Sequence, residues 1–212
     1  CLGLQYIHTK FIFYDLKPEN IMVNLNIKNV KIIDFGSSLD KYKHRSSFYH
    51  QSRYYRSPEL IFHLQFNEKI DIWSLGCIIG ELICNNPLFK GKNERDLLFK
   101  MTEKLDFPKD YIYINSINFN TYFTKLKEDF GEKKEEEEEY EYFRIKEGLT
   151  LNRKYKPMNY CLKEHLNKYL QFFRGEEHNK ENLIDLISKL LVYNYHNRLS
   201  AEECLLHPLF LF

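Results

Sequence analysis

The sequence has no long apolar run, and nothing in it approaches the ~20 apolar residues that a bilayer-crossing helix needs. It has no signal-peptide pattern either. It starts at Cys1, not at methionine, and enters an apolar, helix-like pattern with no start signal. That opening reads as a chain cut from something longer, or as a misassigned start. No excess of charge of either sign is present: charged residues make up 29% of the 212, and the formal net charge is +1. A nucleic-acid footprint or a polybasic membrane-surface segment would need a basic surplus, so neither partner is expected. The five cysteines (Cys1, Cys77, Cys84, Cys161 and Cys204) are odd in number and form no C-x-x-C. That argues against a disulfide framework and against a zinc site. They read as small buried free thiols in a reducing compartment, cytoplasmic and/or nuclear. No internal repeat is present.

What is there is chain enough for one sizeable domain, 1–212, with 43% hydrophobic residues and an unusual abundance of Phe and Tyr. Leu2, Leu4, Tyr6 and Ile7 read as the end of a packed helix. Two short β-rich runs, Ile21–Asn24 and Val30–Ile33, flank an asparagine-rich turn and predict a small hairpin. Residues 37–56 are polar and aromatic without a helical period, which predicts a long irregular segment of the functional kind. Over residues 68–84 the apolar positions go all round a helix, so a buried central helix is expected. Asp71 near its start then needs partners, because a buried carboxylate without them is costly. Asn93–Glu103 and residues 181–192 predict two further helices. Ser200 with Glu203 reads as a capping box that opens a last helix, ended by Pro208. Residues 106–165, with the acidic run Glu135–Glu139, read as an irregular and solvated insertion.

The first forty residues hold a set of groups suited to phosphoryl transfer. That reaction asks for a positioned hydroxyl, metal ions on the phosphates and cations against developing charge. In Asp15-x-Lys17-x-x-Asn20, Asp15 can accept or orient the proton of an attacking hydroxyl, and Lys17 can reach the γ-phosphate. Asn20 offers a neutral amide oxygen to Mg²⁺, and Asp34, beyond the hairpin, offers a carboxylate. Magnesium takes few protein oxygens beside substrate phosphates, which one Asn and one Asp fit. Asp-x-Lys or Asp-Phe-Gly alone is weak. The two at this spacing, with Ser57-Pro58-Glu59 following, match a protein-kinase signature set.

On these stretches the chain resembles the C-terminal lobe of a eukaryotic protein kinase of the CMGC group, and is most similar to the dual-specificity tyrosine-regulated (DYRK) kinases. The carriers are Asp15–Asn20, Asp34-Phe35-Gly36-Ser37-Ser38, Tyr49–Leu60, Ile70–Cys77, Pro87-Leu88-Phe89-x-Gly91-x-Asn93-Glu94, Arg198 and His207-Pro208. Glycogen synthase kinase is the runner-up. The resemblance implies a mainly α fold with a small β-hairpin near the N-terminus and the N-lobe absent, a catalytic loop at 13–20 and an activation segment at 34–59. It implies ATP, Mg²⁺ and protein substrates, and a monomer when complete. It implies that Ser52 contacts the catalytic Asp and Lys, and that Tyr49 is an autophosphorylated tyrosine whose phosphate pairs with Arg53 and Arg56. It further implies a buried Glu59–Arg198 ion pair, and an Asp71 that holds the catalytic loop from the central helix. Lys17 favours serine and threonine over tyrosine substrates.

Two departures stand out. Phe13-Tyr14 occupies the place of His-Arg, or of His-Cys in the DYRK type, and removes a hydrogen-bonding prop beneath Asp34. Asn194-Tyr195 replaces Asp-Pro. The Gly-rich loop, the strand lysine and its helix glutamate are missing, so the 212 residues alone are expected to have little activity. The alternative readings are a pseudokinase or kinase-fold binding scaffold, and a helical interaction module unrelated to kinases.

Overall fold

The computed structural model describes residues 1–26, 29–43, 51–106, 108, 111–125, 143–145, 161–171 and 175–211. In chain order the elements are α1 (Leu2–Ile7), β1 (Phe11–Ile12), β2 (Ile21–Asn24), β3 (Asn29–Ile32), β4 (Leu39–Asp40), α2 (Pro58–Ile61), α3 (Lys69–Cys84), α4 (Glu94–Leu105), α5 (Tyr111–Ile114), α6 (Phe119–Tyr122), β5 (Phe123–Lys125), β6 (Phe143–Ile145), α7 (Cys161–Leu170), α8 (Glu177–Leu190) and α9 (Ala201–Leu205). Among the described residues the strands form three two-stranded antiparallel sheets. The fold is mainly helical, as the sequence implies.

Helix α3 is the axis of the core. Ile70, Ile72, Trp73, Cys77 and Ile78 are all buried, on every side of the helix. Trp73 stacks on Phe89 with centroids 6.0 Å apart. The end of α8 closes on the same helix at Gly76, where a Cβ would lie 2.9 Å from the Leu191 side chain. Any larger residue would push α8 away. Helix α4 starts where expected, with the Asn93 side chain accepting from Asp96 N at 2.9 Å. At α9 the capping box is reciprocal: Ser200 Oγ accepts from Glu203 N, and Ser200 N donates to Glu203 Oε2.

The hairpin forms as predicted, with Ile21 opposite Ile32 and Val23 opposite Val30. Ile21 and Ile32 pack against the core, whereas Val23 and Val30 lie exposed on the same face. A second, two-residue ladder pairs β1 with β4 (Ile12 opposite Leu39) and ties the start of the loop at 13–20 to the irregular segment.

The described parts of the insertion hold α5, α6, β5, β6 and the start of α7. Tyr113, Phe119, Tyr122 and Phe123 are buried around Phe62, with Tyr113 5.1 Å and Tyr122 5.9 Å from its ring. Tyr113 Oη donates to the Tyr193 carbonyl at 2.6 Å. The aromatic richness of this stretch therefore serves the core. Helix α7 buries Leu162, Leu166 and Leu170 at a four-residue spacing. Helix α8 begins four residues before the predicted start. The acidic run Glu135–Glu139 lies outside the described residues.

Candidate active site

Asp71 in the first turn of α3 is fully buried and accepts three hydrogen bonds. Phe13 N donates to its Oδ2 and Tyr14 N to its Oδ1, both at 2.8 Å, and His8 Nε2 lies 3.0 Å from Oδ2. A buried carboxylate is tolerated on such terms, since its charge is shared among donors fixed by the backbone. The two amides pin the loop as it leaves β1. Tyr14 takes φ 76°, a left-handed conformation that costs a non-glycine residue roughly 1–3 kcal/mol. Its buried ring, tilted against Phe66 at 5.8 Å, and its held amide keep it there.

Beyond this anchor the loop presents Asp15 and Lys17, while the side chain between them, Leu16, is buried. Lys17 Nζ donates to Asp15 Oδ2 at 2.7 Å and to Ser52 Oγ at 3.3 Å. Ser52 N donates to Asp15 Oδ1 at 3.0 Å. Three groups from two segments, 37 residues apart at their ends, thus close a triangle. Partial burial alone would push the Asp15 carboxyl up, but the bonds from Lys17 and Ser52 outweigh it and hold that carboxyl below its ordinary value. Bonding to Asp15 raises the Lys17 ammonium in turn.

Asn20 is buried, and its Nδ2 donates to the Asp15 carbonyl at 2.8 Å. The amide nitrogen is thereby used on the loop, so Oδ1 is the atom that would meet a cation. Its own carbonyl accepts from Ile33 N at 2.9 Å, which ties the two ends of the hairpin together and puts Asp34 next to the loop that carries Asp15. Asp34 has φ 64° and is exposed. One of its oxygens accepts from Gly36 N at 3.2 Å. One amide oxygen and one exposed carboxylate suit Mg²⁺, which completes its shell from phosphates and water.

Phe13 fills the place of the missing histidine. It is fully buried and meets the Phe35 ring edge to face, at 5.2 Å and 88°. The prop beneath Asp34 is therefore apolar packing instead of a hydrogen bond. Ser38 Oγ donates to the Phe13 carbonyl at 3.3 Å.

The Glu59–Arg198 pair forms with both side chains fully buried. Arg198 spends all five N–H donors. Two go to the Glu59 carboxylate at 2.7 and 3.0 Å, and the others to the carbonyls of Lys69, Val192 and Tyr193. Its guanidinium also lies 5.1 Å from the centre of the Trp73 ring.

Tyr49 lies outside the described residues. The two arginines expected to receive its phosphate are engaged elsewhere. Arg53 Nη1 donates to the Lys92 carbonyl at 2.7 Å. Arg56 pairs with Glu94 and gives two further bonds to the Gln51 carbonyl. Any phosphate would have to compete with Glu94 for Arg56.

Other contacts have no signature in the sequence. His8 reaches Asp71 across 63 residues. Tyr55 Oη donates to Glu81 at 2.6 Å, and burial followed by that bond pushes the phenol far above its ordinary value. Lys41 joins the His8 carbonyl to Glu68.

The profile of the family described as Protein kinase domain matches residues 1–210. The chain is similar to "Dual specificity protein kinase YAK1 homolog" of Arabidopsis thaliana, with 45% identity over 126 residues, 58% of this chain and 13% of that protein. It is 30% identical to "Dual specificity protein kinase YAK1" of Saccharomyces cerevisiae over 214 residues, 94% of this chain and 26% of that protein. It is 32% identical to "Homeodomain-interacting protein kinase 2" of Mesocricetus auratus over 214 residues, 93% and 18% of the two chains. The chain thus spans only 13 to 26% of the length of these relatives.

Proposed function

The chain belongs to the protein kinase domain family, on the side of the DYRK-like CMGC kinases, and from that premise we propose that it supplies the metal- and hydroxyl-handling half of an enzyme that moves the γ-phosphate of ATP to serine and threonine hydroxyls of proteins. The observation that carries this reading is the triangle of Asp15, Lys17 and Ser52.

In this mechanism the Asp15 carboxylate orients a substrate hydroxyl toward the phosphorus and takes up its proton as the new O–P bond forms. Both of its oxygens already accept one bond, so the carboxylate cannot swing, yet each keeps a further lone pair for the incoming hydroxyl. Lys17 stands between Asp15 and Ser52 with its ammonium fully charged, where negative charge grows on the transferred group. Asn20 Oδ1 and Asp34 would hold Mg²⁺, which when bound shields the phosphate oxygens. Phe13 and Phe35 keep Asp34 at the end of the hairpin.

Intact chemistry at Asp15, Lys17, Asn20 and Asp34 supports an enzyme over a binding scaffold, which has no use for metal ligands. The dual-specificity names of the YAK1 relatives support a second substrate class, the activation-segment tyrosine Tyr49. No helix among the described residues is long and apolar enough to cross a membrane. A cytoplasmic and/or nuclear enzyme accords with the free thiols of Cys77, Cys84 and Cys204. The 212 residues contain no Gly-rich phosphate loop, so they are expected to transfer phosphate poorly on their own.

The test is peptide phosphorylation with radiolabelled ATP by the full-length gene product and by residues 1–212. The full-length protein should label serine and threonine peptides, and the 212-residue chain should label them weakly or not at all. Labelling by the full-length protein that survives Asp15→Asn unchanged would sink the proposal.

A further inference from the structure

Gln51 stands one residue before Ser52 and is only 2% exposed. Every polar group of its side chain, and its carbonyl, has a partner. Nε2 donates to Ser74 Oγ at 2.8 Å, and Oε1 accepts from Ser57 N at 2.7 Å. The carbonyl accepts from Arg56 Nε at 3.2 Å and from Arg56 Nη2 at 2.8 Å. Each end of this bridge is itself fixed. Ser74 is fully buried in α3, and its hydroxyl faces the carbonyls of Tyr55 (2.8 Å) and Ile70 (3.2 Å), so it accepts from Gln51 and donates to the backbone. Ser57 is the N-cap of α2 and makes no side-chain cap of its own. The Gln51 carboxamide holds its backbone N–H just ahead of that helix.

The bridge needs a donor at one end and an acceptor at the other. Glutamine meets that demand. An ionised glutamate has no donor for Ser74, and leucine of similar volume has neither group. Successive Cα atoms are ~3.8 Å apart, so a residue fixed this firmly leaves its neighbour little freedom. That neighbour is Ser52, whose N–H meets Asp15 and whose hydroxyl meets Lys17.

We propose that Gln51 is a positioning residue for phosphoryl transfer: its buried carboxamide, braced between α3 and the cap of α2, fixes Ser52 and through it the orientation of Asp15 and Lys17. The inference rests on the reading of Asp15, Lys17 and Ser52 as the reacting triangle. It separates two functions by location. The metal would sit on Asn20 and Asp34, which flank the hairpin and which Gln51 does not touch, so most of the grip on Mg²⁺-ATP lies outside its reach. Turnover depends on the triangle, which it sets.

The experiment uses the full-length gene product as wild type, Gln51→Leu, Ser52→Ala and the double variant. Peptide phosphorylation gives kcat, and calorimetry gives the affinity for Mg²⁺-ATP. Gln51→Leu should lower kcat about tenfold, because small misplacements of reacting groups are costly. Its Mg²⁺-ATP affinity should stay within about twofold of wild type. The double variant should be no slower than Ser52→Ala, since the two act in series. An unchanged kcat in Gln51→Leu, an equal loss in nucleotide affinity, or losses that multiply in the double variant would each overturn the proposal. Should Gln51→Leu not fold, Ser74→Ala decides by the same readings, because it removes the other end of the bridge with little change in volume. Asp15→Asn separates the two levels. If it abolishes transfer while Gln51→Leu keeps the wild-type kcat, only the role of Gln51 falls. If Asp15→Asn keeps full transfer, the triangle reading falls and takes this inference with it.

Discussion

Two pairs of carboxylates in this chain live under opposite conditions. Asp71 and Glu59 are fully buried, and each is met by several donors: two backbone amides and a histidine for the first, a bidentate guanidinium for the second. Asp15 and Asp34 sit at the rim. Each of their carboxylates is only partly satisfied, by Lys17 and Ser52 in one case and by Gly36 N in the other. Burial with saturation leaves a charge nothing to do but hold the chain together. Exposure with acceptor capacity to spare leaves it able to take a proton or a cation. The inner pair also places the outer pair: Asp71 pins the backbone of Phe13 and Tyr14, immediately before Asp15.

The strongest way to break this division is Asp15→Asn in the full-length protein. The amide keeps the shape and loses the base, so phosphorylation of a peptide should fall by about 10³-fold, within the range general bases supply. The midpoint of urea unfolding should stay close to wild type. A large loss of stability would place Asp15 with the structural pair.

Arg198→Met is the converse. It leaves the buried Glu59 carboxylate without its bidentate partner and removes one donor from each of three carbonyls, of which that of Tyr193 keeps Tyr113 Oη, and should cost about 3–5 kcal/mol in chemical denaturation. The double change Glu59→Leu with Arg198→Met should recover much of that loss, because the uncompensated charge goes with it. If Arg198→Met unfolds no more readily than wild type, the saturated pair is not what holds the activation segment to the late helices.

How much of this was legible follows from distance along the chain. The hairpin from Ile21, the all-round apolar helix of α3 and the Ser200–Glu203 box are local patterns, and the structure has them within a few residues of where the sequence places them. The contacts that orient the site are not local. His8 to Asp71, Gln51 to Ser74 and Tyr55 to Glu81 join residues 63, 23 and 26 positions apart, and no spacing rule signals them. Family resemblance supplied roles for Asp71 and Glu59–Arg198, but none for Gln51, although Gln51 lies in the matching stretch Tyr49–Leu60. The described parts of the insertion carry a buried face. The leucines of α7 and the aromatic residues from Tyr113 to Phe123 supply it, and their partners, such as Phe62, lie far along the chain. The expected roles of Arg53 and Arg56 took no account of Lys92 and Glu94, which hold them here.

The pH dependence sharpens the comparison within the outer pair. The Asp15 carboxyl is held below its ordinary value, so its bonds to Lys17 and Ser52 stabilise the fold above the ordinary Asp range and fade as the pH falls through the folded value. An acid limb from Asp15 should therefore be missing from kcat/KM between about pH 5 and 8. In Lys17→Met the largest opposing contribution to burial is gone, so the limb should move upward. Such a profile, measured with a peptide substrate, would show no shift if Lys17 did not hold Asp15 ionised.

Glu203 tests whether exposure alone makes a carboxylate chemical. It is exposed like Asp34, and it too is held below its ordinary value, first by the Ser200 backbone N–H and then by the Ser200 hydroxyl. Its partners belong to its own helix start, so its work is local. Ser200→Ala removes the hydroxyl that caps Glu203 N and should cost about 1 kcal/mol, read as a lower urea midpoint. Glu203→Gln should cost less, since an amide oxygen can still accept from Ser200 N, and the difference from wild type should vanish as the pH falls below the ordinary glutamate range. Neither change should alter kcat. An unchanged kcat in both would leave unspent acceptor capacity, not exposure, as the property that marks Asp15 and Asp34, whereas a fall in kcat with either one would mean that α9 reaches the rim by a route other than the buried pair.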